Sequence, residues 1–68
     1  MSNWKKIFTS SDPYLPFFIQ GMLNQNDIEV VLLNKKDEAY HFGDVELYVE
    51  QEYILKAVYL INQNIFSE

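Results

Sequence analysis

Apolar residues along this chain recur at two different spacings, and each switch between them marks a boundary. Residues 4–9, Trp-Lys-Lys-Ile-Phe-Thr, carry aromatic and β-branched side chains at strand density. They run into Ser10-Ser11-Asp12-Pro13, a helix-start signal in which Asp12 or Ser11 can cap free backbone N–H groups and Pro13 suits the first helical position. Leu15, Phe18, Ile19, Met22 and Leu23 then repeat at the spacing of one helical face, which predicts a helix over 13–26. Pro16 falls in its first turn, where few intrahelical donors are lost, and Asn24-Gln25-Asn26-Asp27 closes it. Residues 28–33, Ile-Glu-Val-Val-Leu-Leu, are a β-branched run too short for a helix and predict a second strand. After a polar connection over 34–43, strict alternation returns, with Val45, Leu47 and Val49 on one face of a strand at 44–49. A last helix is predicted over 51–63, with Ile54, Ala57, Val58, Ile61 and Ile65 on one side. Glu50 and Glu52 stand where the positive end of its dipole favours carboxylates.

The order β-α-β-β-α has a small set of solutions. A right-handed crossover followed by a β-β connection gives a three-stranded antiparallel sheet, order 1-3-2, with both helices on one face. That is a ferredoxin-like α+β sandwich without its final strand, and it leaves strand 1 with an edge that a partner chain could cover. Setting Ile7, Val30, Leu32, Val45, Leu47 and Val49 against the helices sends Trp4, Lys6, Phe8, Val31, Leu33, Glu46 and Tyr48 to the other side. Five of those seven are apolar or aromatic, too many for a face that only meets water. Trp4, Phe8, Val31, Leu33 and Tyr48 are therefore the candidate residues of an oligomer or partner interface. Tyr14, Phe17, Tyr53, Leu55 and Tyr59 fall at or outside the core faces of the helices and add to the same picture.

Size and charge narrow the function classes. Sixty-eight residues form one domain, too small to bury a large share of its surface. Without cysteine there is neither a disulfide nor a cysteine zinc site, so stability rests on apolar packing, extended by self-association. A net charge of −5 with five lysines and no arginine disfavours phosphate backbones, which excludes nucleic acid as a partner. No apolar run approaches membrane-spanning length, and the N-terminus lacks the features of a secretory signal. The expectation is a cytoplasmic protein that meets a second copy, another protein or an unidentified small molecule, with no membrane and no cofactor.

Concentrated polar chemistry lies in the connection over 34–43, which is longer than hairpin loops usually are. It is either an excursion closed by Asn34 and Asp37 bonds to backbone or a recognition loop held by a rigid scaffold. In the second case Asn34, Lys35, Lys36, Asp37, Glu38, Tyr40 and His41 are the candidate ligand- or partner-binding residues. Lys35-Lys36 beside Asp37-Glu38 is locally neutral and reads as a solvated tip. Tyr40 can pack its ring on the core edge with its hydroxyl outward. His41 is the sole histidine. With Asp37 and Glu38 it could hold a metal or a small anion, but a surface histidine fits the pattern better and no metal site is assigned. Catalysis has less support. No nucleophile, histidine and acid form a set, and three strands with two helices enclose little space for acid–base chemistry. The chain is read as not an enzyme.

The order of residues carries a resemblance. Trp4-Lys5-Lys6-Ile7-Phe8-Thr9, Asp12-Pro13, Gly21-Met22-Leu23, Ile28-Glu29-Val30, Leu33-Asn34-Lys35-Lys36-Asp37-Glu38-Ala39-Tyr40 and Phe42-Gly43-Asp44-Val45-Glu46-Leu47-Tyr48-Val49 resemble a family of small bacterial domains. That family is described as prokaryotic signal-transducing proteins and has no established activity. The resemblance spans nearly the whole chain and implies a fold related to the nitrogen-regulatory PII (GlnB-like) proteins. In those proteins the connection between strands 2 and 3 is the signalling loop, and sheets meet inside a trimer. Pro16 with Phe17-Phe18 departs from the charged first turn expected there, and the basic nucleotide-gripping residues are missing, so ATP binding is not implied. The expected role is a regulatory or signal-transducing domain acting through 34–43. The alternative is a homo-oligomeric adaptor acting through the outer sheet face.

Overall fold

The computed structural model describes residues 3–35 and 44–66. Strands β1 (Trp4–Ser10), β2 (Val31–Asn34) and β3 (Val45–Glu50) form one antiparallel sheet in the order β1-β3-β2. Helices α1 (Leu15–Gln25) and α2 (Ile54–Ile61) both pack on β1 and β3. The α+β architecture predicted from element order is the one observed. Two layers give a flat slab of 37 × 36 × 15 Å.

The alternation of β3 organises the core. Val45, Leu47 and Val49 are fully buried under the helices, while Glu46, Tyr48 and Glu50 point to the other side. Leu47 and Val49 join Ile19 and Leu23 of α1, Ala57 and Ile61 of α2, and Ile28 and Val30 in one cluster. Each fully buried aliphatic side chain contributes about 1.5–3 kcal/mol relative to exposure, so this cluster is the main source of stability.

The helix boundaries have local causes. Asp12 caps the turn before α1, its Oδ1 accepting the N–H groups of Tyr14 at 2.7 Å and Leu15 at 2.8 Å. Regular helix begins at Leu15, two residues after the predicted start, with Pro16 buried in its first turn. At the other end Asp27 adopts φ 63°, the left-handed region where glycine is usual. Its N–H donates to the Asn24 carbonyl at 3.1 Å, and Ile28 N–H donates to the Leu23 carbonyl at 3.0 Å. This is a Schellman ending, and the buried pair Leu23 and Ile28 supplies its apolar contact. The chain is still leaving that ending at Ile28–Val30, so the ladder of β2 starts at Val31 rather than at residue 28. The second helix begins as a 3-10 turn, Gln51–Tyr53, and widens to a π turn at Asn62–Phe66.

Three placements differ from the periodic reading. The register of β1 shifts between Lys6 and Phe8, so Lys6 lies opposite Tyr48 but Phe8 opposite Leu47. The bulge turns Ile7 and Phe8 both toward the helices, where both pack on the core. Phe8 is therefore not part of the outer sheet face. In α1 the buried set is Pro16, Ile19 and Leu23, and Phe18 is 58% exposed. In α2 Val58 is exposed, and Tyr53 and Leu60 pack on the core with Ile54 and Ile65. A contiguous apolar run lets either flank of a helix face inward, and the sheet beneath chooses.

Candidate functional site

The sheet face that neither described helix covers is built by the outward positions of three strands. Cross-strand partners set its rows: Thr9, Glu46 and Leu33 in one, Lys6, Tyr48 and Val31 in the next, Trp4 and Glu50 at the end. Outward side chains on paired strands stand close enough to interact directly. Val31 and Leu33 are exposed, and Trp4 and Tyr48 are half-buried.

Glu46 is the polar hub of this face. Its Oε1 accepts the Tyr48 hydroxyl at 2.8 Å and lies 3.3 Å from Lys35 Nζ, and its Oε2 lies 3.5 Å from Lys6 Nζ. The lysine stems and the Tyr48 ring leave the Glu46 side chain only 13% exposed, while Lys6 and Lys35 stay 49% and 58% exposed. The Tyr48 hydrogen bond is the main reason the Glu46 carboxyl sits below the usual carboxylate range. Partial desolvation opposes that shift, and the two ammonium groups reinforce it. The same hydrogen bond, with desolvation and the Glu46 charge behind it, raises the Tyr48 hydroxyl above its ordinary value.

Lys35 connects this hub to the long connection. Its N–H donates to the Asp44 carbonyl at 2.9 Å, one step beyond the Asn34–Val45 pair, so the root of 34–43 is tied across β2 and β3. Lys35 was expected on a solvated tip. Its side chain is indeed exposed, and its ammonium also lies 3.3 Å from the outward carboxylate of the central strand. Among the predicted loop residues Asn34 and Lys35 lie in the structure, whereas Lys36, Asp37, Glu38, Tyr40 and His41 fall outside the described residues. Of the predicted interface residues, Trp4, Val31, Leu33 and Tyr48 do share the outer face; Phe8 does not.

Elsewhere the described residues offer little enclosure. No polar or charged residue among them is buried, and no group of three His, Cys, Asp or Glu is placed to hold a metal ion. No described helix is long and apolar enough to cross a membrane. An open groove of about 390 Å³ lies on the helical side, lined by Phe17, Phe18, Gly21, Met22, Gln25 and Asn64. The sequence reading missed the Lys6–Glu46–Lys35 grouping. A glutamate and a tyrosine two apart on a strand were visible, but the lysines come from positions 40 and 11 residues away. Only the register could bring them in. In comparisons with protein-family models, curated proteins and solved structures, nothing matches this chain.

Proposed function

We propose that this chain is a non-enzymatic protein-binding module. Its contact surface is the uncovered sheet face together with the root of the 34–43 connection. The observation that carries this reading is the exposure of Val31 and Leu33 beside a hub whose carboxylate is already neutralised. A partner can cover the Glu46 carboxylate without leaving it unpaired, the step that usually makes polar surfaces costly to dock. The fitting partner is a protein surface with apolar side chains for Trp4, Val31, Leu33 and Tyr48. At its rim it carries acceptors for the N–H donors that the lysines still turn to water.

The regulatory role implied by the family resemblance uses the same surface. Lys35 belongs both to the hub and to the anchored root of 34–43, so a ligand or partner held by that connection would bear directly on the sheet face. In this view binding shifts the connection between arrangements while the sheet holds its ends.

Affinity capture from the native lysate tests the proposal with two variants. Val31→Lys with Leu33→Lys should leave folding unchanged by circular dichroism, since both sites are exposed, and should abolish specific capture. Alanine at Lys36, Asp37, Tyr40 and His41 should weaken capture if the connection also contributes. An identical captured set from wild type and the sheet-face variant overturns the proposal.

A further inference from the structure

The helical side of the slab carries features that neither the core nor the sheet-face reading uses. Tyr14 is 81% exposed, Phe17 50%, Phe18 58%, Leu55 85% and Tyr59 61%. Leu55 and Tyr59 are one turn apart on α2, and Phe17 and Phe18 precede Gly21 by one turn on α1. The two helices lie side by side on one sheet face, and Asn64 Nδ2, in the π turn after α2, lies 3.8 Å from Met22 Sδ of α1.

Gly21 supplies an independent observation. It sits inside α1, where glycine weakens a helix relative to alanine. A Cβ built there would meet nothing within 4 Å, so no contact with the described residues calls for glycine. Its exposed position forms part of the groove, with Phe17, Phe18, Met22, Gln25 and Asn64 around it. A bare backbone one turn beyond two exposed aromatic rings is suited to the close approach of another helix.

We infer that this face is the self-association surface of the chain, and that a second copy seats its own α1 across Gly21 in a two-fold arrangement. Charge leaves this face open to a second copy. The chain carries −5, so two copies repel each other wherever acidic surface meets acidic surface. Leu15–Gln25 contains no charged residue at all, and the one charge in Ile54–Ile61, Lys56, lies 3.3 Å from the Asn26 carbonyl at the end of α1. A lipid surface is the poorer fit, because interfacial helices flank their apolar face with several lysines or arginines. The area is sufficient too. The five exposed side chains offer on the order of 600 Å², and a standard interface takes about 800 Å² per partner, of which roughly 65% is apolar between identical subunits. Contact through the helices leaves both sheet faces turned outward, so the dimer presents two copies of the surface proposed above for partners.

Sedimentation velocity over a range of concentrations reads the state directly. Wild type should approach twice the 8.1 kDa chain mass. Phe17→Glu with Phe18→Glu should remain monomeric at every concentration, with an unchanged circular dichroism spectrum. Gly21→Ala separates an interface role from a purely structural one. It should raise the thermal midpoint measured under monomeric conditions, because alanine is the better helix former, and raise the dimer dissociation constant at least tenfold. The inference is overturned if wild type stays monomeric throughout, or if the dimer survives both helix-face variants. It is also overturned if the dimer dissociates only with Val31→Lys and Leu33→Lys, which would place self-association on the sheet. Co-sedimentation of wild type with neutral phosphatidylcholine vesicles, without dimer formation, would assign the face to lipid instead.

Discussion

The two broad faces of the slab differ in residue type: the sheet face sets charged groups beside apolar ones, and the helical face exposes aromatic rings with almost no charge. On the sheet face Glu46 finds Tyr48, Lys6 and Lys35, and its carboxylate is nearly covered. On the helical face aromatic rings stand far out in solvent, Tyr14 at 81% and Tyr59 at 61%. Geometry accounts for the contrast. Outward side chains of a sheet project side by side from strands about 4.8 Å apart, so neighbours converge and shield one another. Outward side chains of a helix fan away from a convex cylinder, and rings in its outermost positions gain little cover from their neighbours. A flat layer settles its polar groups internally, whereas a layer of helices leaves its apolar ones for another surface.

The largest expected effect tests whether the faces share one support. Leu47 lies beneath both, fully buried on the strand that also carries Glu46 and Tyr48. Leu47→Ala should lose about 2–5 kcal/mol in urea unfolding, against a total of roughly 3–10 kcal/mol for a chain of this length. It should also reduce both partner capture and self-association. A loss below about 1 kcal/mol would mean that the layers are supported separately.

A change confined to the helical layer should act with the opposite sign. Asp27→Gly relieves the left-handed backbone at the end of α1 and should stabilise by about 0.5–1 kcal/mol. In a thermal melt that is a rise of a few degrees. Capture through the sheet face should not change. A lower midpoint would instead show that the Asp27 carboxylate supports the fold.

The smallest effect belongs to the sheet hub and is read from pH. The folded state holds the Glu46 carboxyl low, so the unfolded chain takes up the proton more readily. The resulting stabilisation is complete above the usual carboxylate range and disappears as pH falls through it to the lowered folded value. Tyr48 behaves in the reverse sense. Its raised hydroxyl contributes fully below the ordinary tyrosine value and loses that contribution as pH rises through the folded one. Glu46→Gln should flatten both limbs of the thermal midpoint against pH, and added salt should mimic part of the change. Superimposable profiles for variant and wild type would remove the hub from the account of this face.

Much of the fold was legible before any coordinates. The alternation Val45, Leu47, Val49 located the core side of the central strand because successive strand residues must point to opposite faces. Ser11-Asp12 and the run Asn24-Gln25-Asn26-Asp27 marked the ends of α1, and the structure assigns the cap to Asp12 and the left-handed turn to Asp27 through hydrogen bonds between nearby residues. Phe8 and Phe18 were misplaced for the complementary reason. A bulge in β1 and the rotation of α1 depend on the surface each element meets, and that surface is assembled from distant segments.

The candidate site divides along the same line. From the amino-acid order alone came the element sequence, the outward positions Trp4, Val31, Leu33 and Tyr48, and the polar connection at 34–43. Only the tertiary structure decided that Lys6 and Lys35 meet on Glu46, that Phe8 turns inward, and that Gly21 shares an open groove with two exposed rings. Periodicity is a property of neighbouring residues along the chain. Which charge meets which carboxylate, and which ring finds no cover, depends on strand register and helix rotation, and these are settled only when the whole core packs together.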